Sequence, residues 1–218
     1  TSISAEADGK VFIVGSFAEV GTTTRHGVAR LNADGSVDAT FSDPGANSEV
    51  KTIAVQPDGK ILIGGGFTTV AGAQRLSMAR LNADGTLDAT FGDPGFNENV
   101  WAIAVQPDGR ILVVGDFTEI GTHVQNYVVR LNADGSFDGT FADPQLCCNV
   151  ARAVALQADG RVLVGGFFAH VGATTHFYFA RFSSDGTFDP TFPDTTDNIQ
   201  PGSIVVAPDG SLYVSDSG

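Results

Sequence analysis

The chain has 218 residues and a formal charge of −13, with only 12 Lys and Arg against 25 Asp and Glu. That balance leaves no basic stripe to neutralise phosphates, and an anionic membrane surface would repel it, so neither nucleic-acid binding nor membrane insertion is expected. Hydrophobic residues at 42% suffice for a packed core, yet no apolar run approaches the length of a membrane span.

In chain order, a short strand-like segment leads to an Asp-Gly turn at Asp8, and this turn returns at Asp58, Asp108, Asp159 and Asp209. A second Asp-Gly turn stands at Asp34, Asp84, Asp134 and Asp185, giving periods of 50, 50 and 51 residues. Such a period marks a propeller, a solenoid or an array. The second copy is the clearest. Residues 51–56 read as a strand, and Pro57-Asp58-Gly59-Lys60 is turn chemistry. Ile61-Leu62-Ile63 suits a strand buried on both faces. Gly64-Gly65-Gly66 follows, with no helix after it, so close backbone packing explains it better than a phosphate cradle. After a longer connection, Ser77 to Leu81 makes a third strand. Ala83-Asp84-Gly85 turns the chain, and Thr86 to Phe91 is predicted as a fourth.

Four short antiparallel strands per repeat predict an all-β fold, a β-propeller with ~50-residue blades. The repeats run 1–50, 51–100, 101–151 and 152–202, with a half repeat at 203–218. A β-helix needs a shorter period and parallel coils, and a leucine-rich horseshoe needs its own Leu ladder.

Gln56-Pro57-Asp58-Gly59-Lys60-Ile61-Leu62 and Ala79-Arg80-Leu81-Asn82-Ala83-Asp84-Gly85-Thr86-Leu87-Asp88-Ala89-Thr90-Phe91 resemble the delta-60 repeat, a bacterial β-propeller family. The resemblance covers nearly the whole chain. It implies a propeller within large secreted or surface proteins, and it carries over no catalytic residue. The chain begins at Thr1 on the first strand of a repeat and stops within another. It is therefore expected to be a segment of a longer protein, placed outside the cell or on its surface. Open strand edges would invite self-association.

The Asp-Gly turns fall on one face of such a blade. The longer, variable connections fall on the other, at 16–26, 66–76, 116–126 and 167–176 within repeats and 42–50, 92–100, 142–151 and 193–202 between them. Binding residues concentrate on such loops, so a protein or glycan partner is expected there. Registering the repeats places Thr1, Lys51, Trp101, Arg152 and Gly202 on one ring near the axis. An indole beside two cations suits a sugar ring or an anionic glycan; alternatively Trp101 packs under a loop and the cations are solvated. A second ring holds Arg25, Arg75, Gln125 and His176, fit either for a ligand or for bonds to loop carbonyls.

Chemistry for catalysis is missing. The histidines share no aligned position, and no nucleophile motif occurs. Glu49 aligns only with Asn99 and Asn149, which falls short of a metal site. No cofactor is expected. Asn32 to Asp38 looks like part of a calcium loop, but Arg30 stands where the first Asp ligand belongs. Cys147 and Cys148 are adjacent and can form a vicinal disulfide or remain free thiols. The expectation is a non-catalytic scaffold for protein interaction, adhesion or matrix assembly, with a glycan-binding module as the alternative and an axial hydrolase or lyase behind both.

Overall fold

The computed structural model describes residues 2–147, 150–194 and 199–216, and these hold strands and turns with no helix. Five inner strands, Ser2–Ala5, Val50–Val55, Val100–Val105, Val150–Leu156 and Pro201–Val206, pack side by side around an axis in chain order. Each pairs antiparallel with a middle strand: Val11–Val14, Ile61–Gly65, Ile111–Gly115, Val162–Phe167 and Leu212–Asp216. Four outer strands follow, Val28–Leu31, Met78–Leu81, Val128–Leu131 and Phe179–Phe182. The result is four blades and a two-stranded half-blade. The Asp-Gly turns lie where the sequence puts them, with positive φ at Gly59 (83°) and Gly85 (86°).

The predicted fourth strand is the one correction to the blade. The segment 86–91 touches the outer strand through a single bridge, Leu81 to Leu87, and its equivalents do the same. The reason is Asp88. Its carboxylate accepts the Thr90 N–H at 2.9 Å and the Thr90 hydroxyl at 2.6 Å, and its carbonyl accepts the Phe91 N–H at 3.3 Å. This local bonding turns the chain one residue past the bridge. Phe91 drops into the core, 1% exposed. The long, variable connections carry two-residue ribbons such as Thr69–Val70 with Ala73–Gln74.

The same aspartate ties one blade to the next. Asp38 accepts Arg30 Nε at 2.8 Å, and Arg30 Nη1 donates to the carbonyl of Ala83 in the following blade at 2.9 Å. Arg80 repeats this with Asp88 and Ala133, and Arg130 with Asp138 and Ser184. Each guanidinium also lies over a core ring, Phe41, Phe91 or Phe141, about 5 Å from its centroid. Next to it a backbone clasp crosses the boundary, from the Ser42 N–H to the Asp84 carbonyl at 2.7 Å. A side chain at Gly85 would collide with the Ser42 carbonyl, so this turn needs glycine for contact as well as for φ. The apolar core divides accordingly into clusters shared between neighbouring blades, Phe12 and Val14 packing with Ile53 and Ile61 in the first.

In the half-blade, Leu212 and Val214 pack inward on the fourth blade's cluster, while Tyr213 faces outward, 66% exposed.

The clasp makes stability acid-sensitive. The Thr40 hydroxyl, then Lys10, hold the Asp38 carboxyl well below the usual carboxylate range, with Arg30 adding to them. At Asp88 burial acts in the opposite direction and is outweighed by Lys60, Thr90 and Arg80. A folded-state pKa below the unfolded value stabilises above the unfolded pKa, near ~4, and is lost as pH falls toward the folded one. The unfolding free energy in urea should hold between pH 7 and 5 and drop steeply below about pH 4. A flat profile down to pH 3 would contradict the clasp.

Candidate functional site

The site begins with a break in pairing. Between inner and middle strands the register shifts once in the second, third and fourth blades and once in the half-blade, between Val50 and Thr52, Val100 and Ala102, Ala151 and Ala153, and Pro201 and Ser203. The residue left over is Lys51, Trp101, Arg152 or Gly202. The expected axial ring is therefore a ring of β-bulges, a device that re-aims a side chain out of the ladder. Glycine makes the bulge feasible. A Cβ at Gly65, Gly115 or Gly166 would strike the carbonyl of Glu49, Asn99 or Val150. Thr1 lies outside the described residues.

The bulges bring three sequence-predicted residues together. Lys51 Nζ lies 4.1 Å from the Trp101 ring centroid, and Arg152 Cζ lies 4.5 Å from it. They arrive from the blades on either side of Trp101. Arg152 also lies 5.0 Å from the Phe167 centroid. All three are half-buried. With Ser2, Thr52 and Ser203 they line an axial cavity of ≈ 320 Å³. Glu49, part of no predicted ring, accepts Lys51 Nζ at 2.5 Å. Among the described residues, Trp101 Nε1 and Arg152 Nε are buried donors with no acceptor.

The second ring goes elsewhere. Arg25, Arg75, Gln125 and His176 end the ribbon turns and do not line the axial cavity. Arg25 is 9% exposed and donates to the carbonyls of Thr24 at 2.8 Å and Phe41 at 3.1 Å. Arg75 donates to the Gln74 carbonyl and Gln125 to the Val128 carbonyl. His176 is buried with its ring edge-on to Phe188. Arg25, Arg75 and Gln125 thus bond to carbonyls, while His176 Nδ1 lies 4.0 Å from Asp194 Oδ1.

Cys147 is disulfide-bonded, with its sulfur 3.3 Å from His170 Nδ1; Cys148 and Asn149 lie outside the described residues. The Asp34 carboxylate, in the calcium-like stretch, accepts the Ser36 N–H and hydroxyl, and Asp38 is held by Arg30 and Lys10. Among the described residues no three His, Cys, Asp or Glu gather as metal ligands would.

One feature escaped the sequence. His26 Nδ1 lies 2.6 Å from Asp43 Oδ2 beside a cavity of ≈ 630 Å³ at the first long connection. Leu76, Asn126 and Phe177 stand at the equivalent positions, so the pair occurs in one blade and periodicity could not flag it.

A family described as a domain of unknown function (DUF5122) beta-propeller matches residues 6–41, 56–91, 106–141 and 157–192, about two thirds of the chain. The chain belongs to that family. The four matched segments are the four repeats, consistent with the delta-60 resemblance. Among solved structures, PorZ of Porphyromonas gingivalis, described as an essential bacterial surface component of the type-IX secretion system, aligns at 14% identity and TM-score 0.57, over 100% of this chain and 31% of its own. XC5397 of Xanthomonas campestris, described as a gluconolactonase, aligns at 20% and 0.53, over 87% of this chain and 62% of its own. A putative gluconolactonase aligns at 16% and 0.54, over 98% and 69%. At these identities the likeness is one of fold. The chain spans about a third of PorZ and under two thirds of XC5397. No curated protein matches it.

The bulge links glycine to the site. Gly115→Ala should destabilise the propeller by about 2 kcal/mol or more, from the collision with the Asn99 carbonyl, and should shift the emission of Trp101, the sole tryptophan. Unchanged melting and emission would show that the bulge is not what aims Trp101.

Proposed function

We propose that this chain is a non-catalytic binding module, working outside the cell, that engages a glycan at the axial mouth of its loop-rich face. The observation that carries the reading is the axial cavity. Three positions that differ from blade to blade, Lys51, Trp101 and Arg152, converge there on bulges of an otherwise repeated scaffold. Its lining of hydroxyls and cations suits a polyhydroxylated ligand held by hydrogen bonds. Glu49, the carboxylate beside it, is already engaged by Lys51, which fits capture rather than proton transfer. Lactone chemistry is said of two proteins of like fold and has no counterpart in this donor set. An extracellular setting draws support from PorZ, described as a bacterial surface component.

Trp101 emission reports the site directly. Titration with a panel of neutral and acidic oligosaccharides should give a saturable change with at least one, and Lys51→Ala with Arg152→Ala should abolish it. Silence across the panel, together with an empty glycan array, would sink the reading.

A second reading, a scaffold built by protein contact, has its own support at the flanks. Ile3 is 69% exposed, whereas the equivalent Ile53, Ile103 and Ile204 are each 8% exposed against a preceding blade. Tyr213 is 66% exposed where Leu62, Leu112 and Leu163 are fully buried. Such apolar flanks favour association. Light scattering should show concentration-dependent growth that Tyr213→Glu suppresses; a protein that stays monomeric at high concentration would count against it.

A further inference from the structure

The axial cavity, if it is the binding site argued above, also defines which sugar it takes. An indole normally recognises a sugar by offering a flat face. Here Lys51 and Arg152, from the flanking blades, already stack on the Trp101 ring at 4.1 Å and 4.5 Å. A sugar seated on the indole would have to displace an ammonium or a guanidinium. What the cavity offers instead is positive charge and hydrogen-bond donors.

The two cations are not equivalent. Most others are held by aspartates, as Arg30, Arg80, Arg110, Arg130, Arg161, Arg181, Lys10 and Lys60 are. Arg25 and Arg75 are held by carbonyls. Lys51 has Glu49. Arg152, among the described residues, has neither, and its Nε and the neighbouring Trp101 Nε1 are buried donors lacking an acceptor. Arg25 and Arg75 also leave Nε orphaned; what sets the axis apart, among the described residues, is that Arg152 has no other hydrogen-bond or ion-pair partner and shares the gap with Trp101 Nε1, two buried donors that mark a missing acceptor. Glu49 shows what fits: a carboxylate at 2.5 Å on Lys51, its own side chain 37% exposed while the lysine's is 14% exposed. It is also peculiar to this blade, since Asn99 and Asn149 stand at its equivalents. The overall charge of −13 opposes anions, but screening confines that field to about 8 Å at physiological salt, so the local cations decide.

We propose that the axial cavity binds a uronic acid unit, its carboxylate placed on Arg152 and Lys51, and that Glu49 is a built-in competitor for Lys51 that the ligand carboxylate displaces. A cavity of ≈ 320 Å³ is of the size for one sugar unit. Charge-assisted bonds to a carboxylate are about twice as strong as neutral ones, which sets the preference for acidic over neutral sugar.

The test uses Trp101 emission with oligogalacturonate, the matching neutral galacto-oligosaccharide and inorganic sulfate as probes. Oligogalacturonate should bind at least tenfold more tightly than its neutral counterpart. Arg152→Gln should weaken it tenfold or more, and Glu49→Gln should strengthen it about threefold or more. Thermal melts of both variants establish that they fold, and Glu49→Gln alters only a partly exposed side chain. Equal binding of acidic and neutral sugars overturns the proposal and leaves the glycan reading standing. Sulfate competing as well as the uronate overturns it in favour of a general anion site. No response to either sugar, with the wider panel silent as well, removes both the proposal and the reading beneath it.

Discussion

Each blade is fastened to the next by one arginine, and one aspartate holds that arginine in place. Asp88 fixes Arg80 through Nε, which leaves Nη1 to reach the Ala133 carbonyl across the boundary. The ion pair is buried, Arg80 at 7% and Asp88 at 4% exposure. Removing one partner of a buried pair typically costs about 3–5 kcal/mol, because the other charge is left uncompensated. The aspartate also ends the fourth segment, caps its turn through Thr90 and drops Phe91 beneath the guanidinium. One carboxylate thus sets blade shape, inter-blade contact and core packing together. The Asp-Gly turn follows from it, since the carbonyls that the clasp uses lie in that turn.

The axis obeys the complementary rule. Where the clasp demands identity, the bulge leaves a side chain outside the ladder and aims it at the axis. Gly115 admits the Asn99 carbonyl, and that close approach frees position 101 to carry any residue. Lysine, tryptophan, arginine and glycine all occur there without disturbing their neighbours. A constant backbone motif thus supports a variable ring.

Much of this was legible in the sequence, for physical reasons that differ by feature. The turns and the first three strands of each blade were readable because Asp-Gly chemistry and apolar runs are local signals. The ring was readable because equal register in a repeat means equal place in the fold. The fourth strand misled, since Thr86 to Phe91 has strand composition and only the hydrogen bonds of Asp88 reveal the turn. The Arg25 ring stayed open because a planar donor suits a carbonyl and a ligand equally. Glu49 on Lys51 and the cations on both sides of Trp101 depend on side-chain geometry that no periodicity encodes. The His26–Asp43 pair was invisible because it occurs once.

Arg181 brings out a last consequence. It pairs with Asp189 and lies over Phe192 as its equivalents do over their rings, so the fourth blade presents the same clasp at its boundary. Every boundary asks for the same partner, and every complete repeat supplies one. A gene encoding such a chain can therefore gain or lose whole periods by unequal recombination without redesigning any junction. Each exchange would change the axial ring by one side chain while the walls stayed the same.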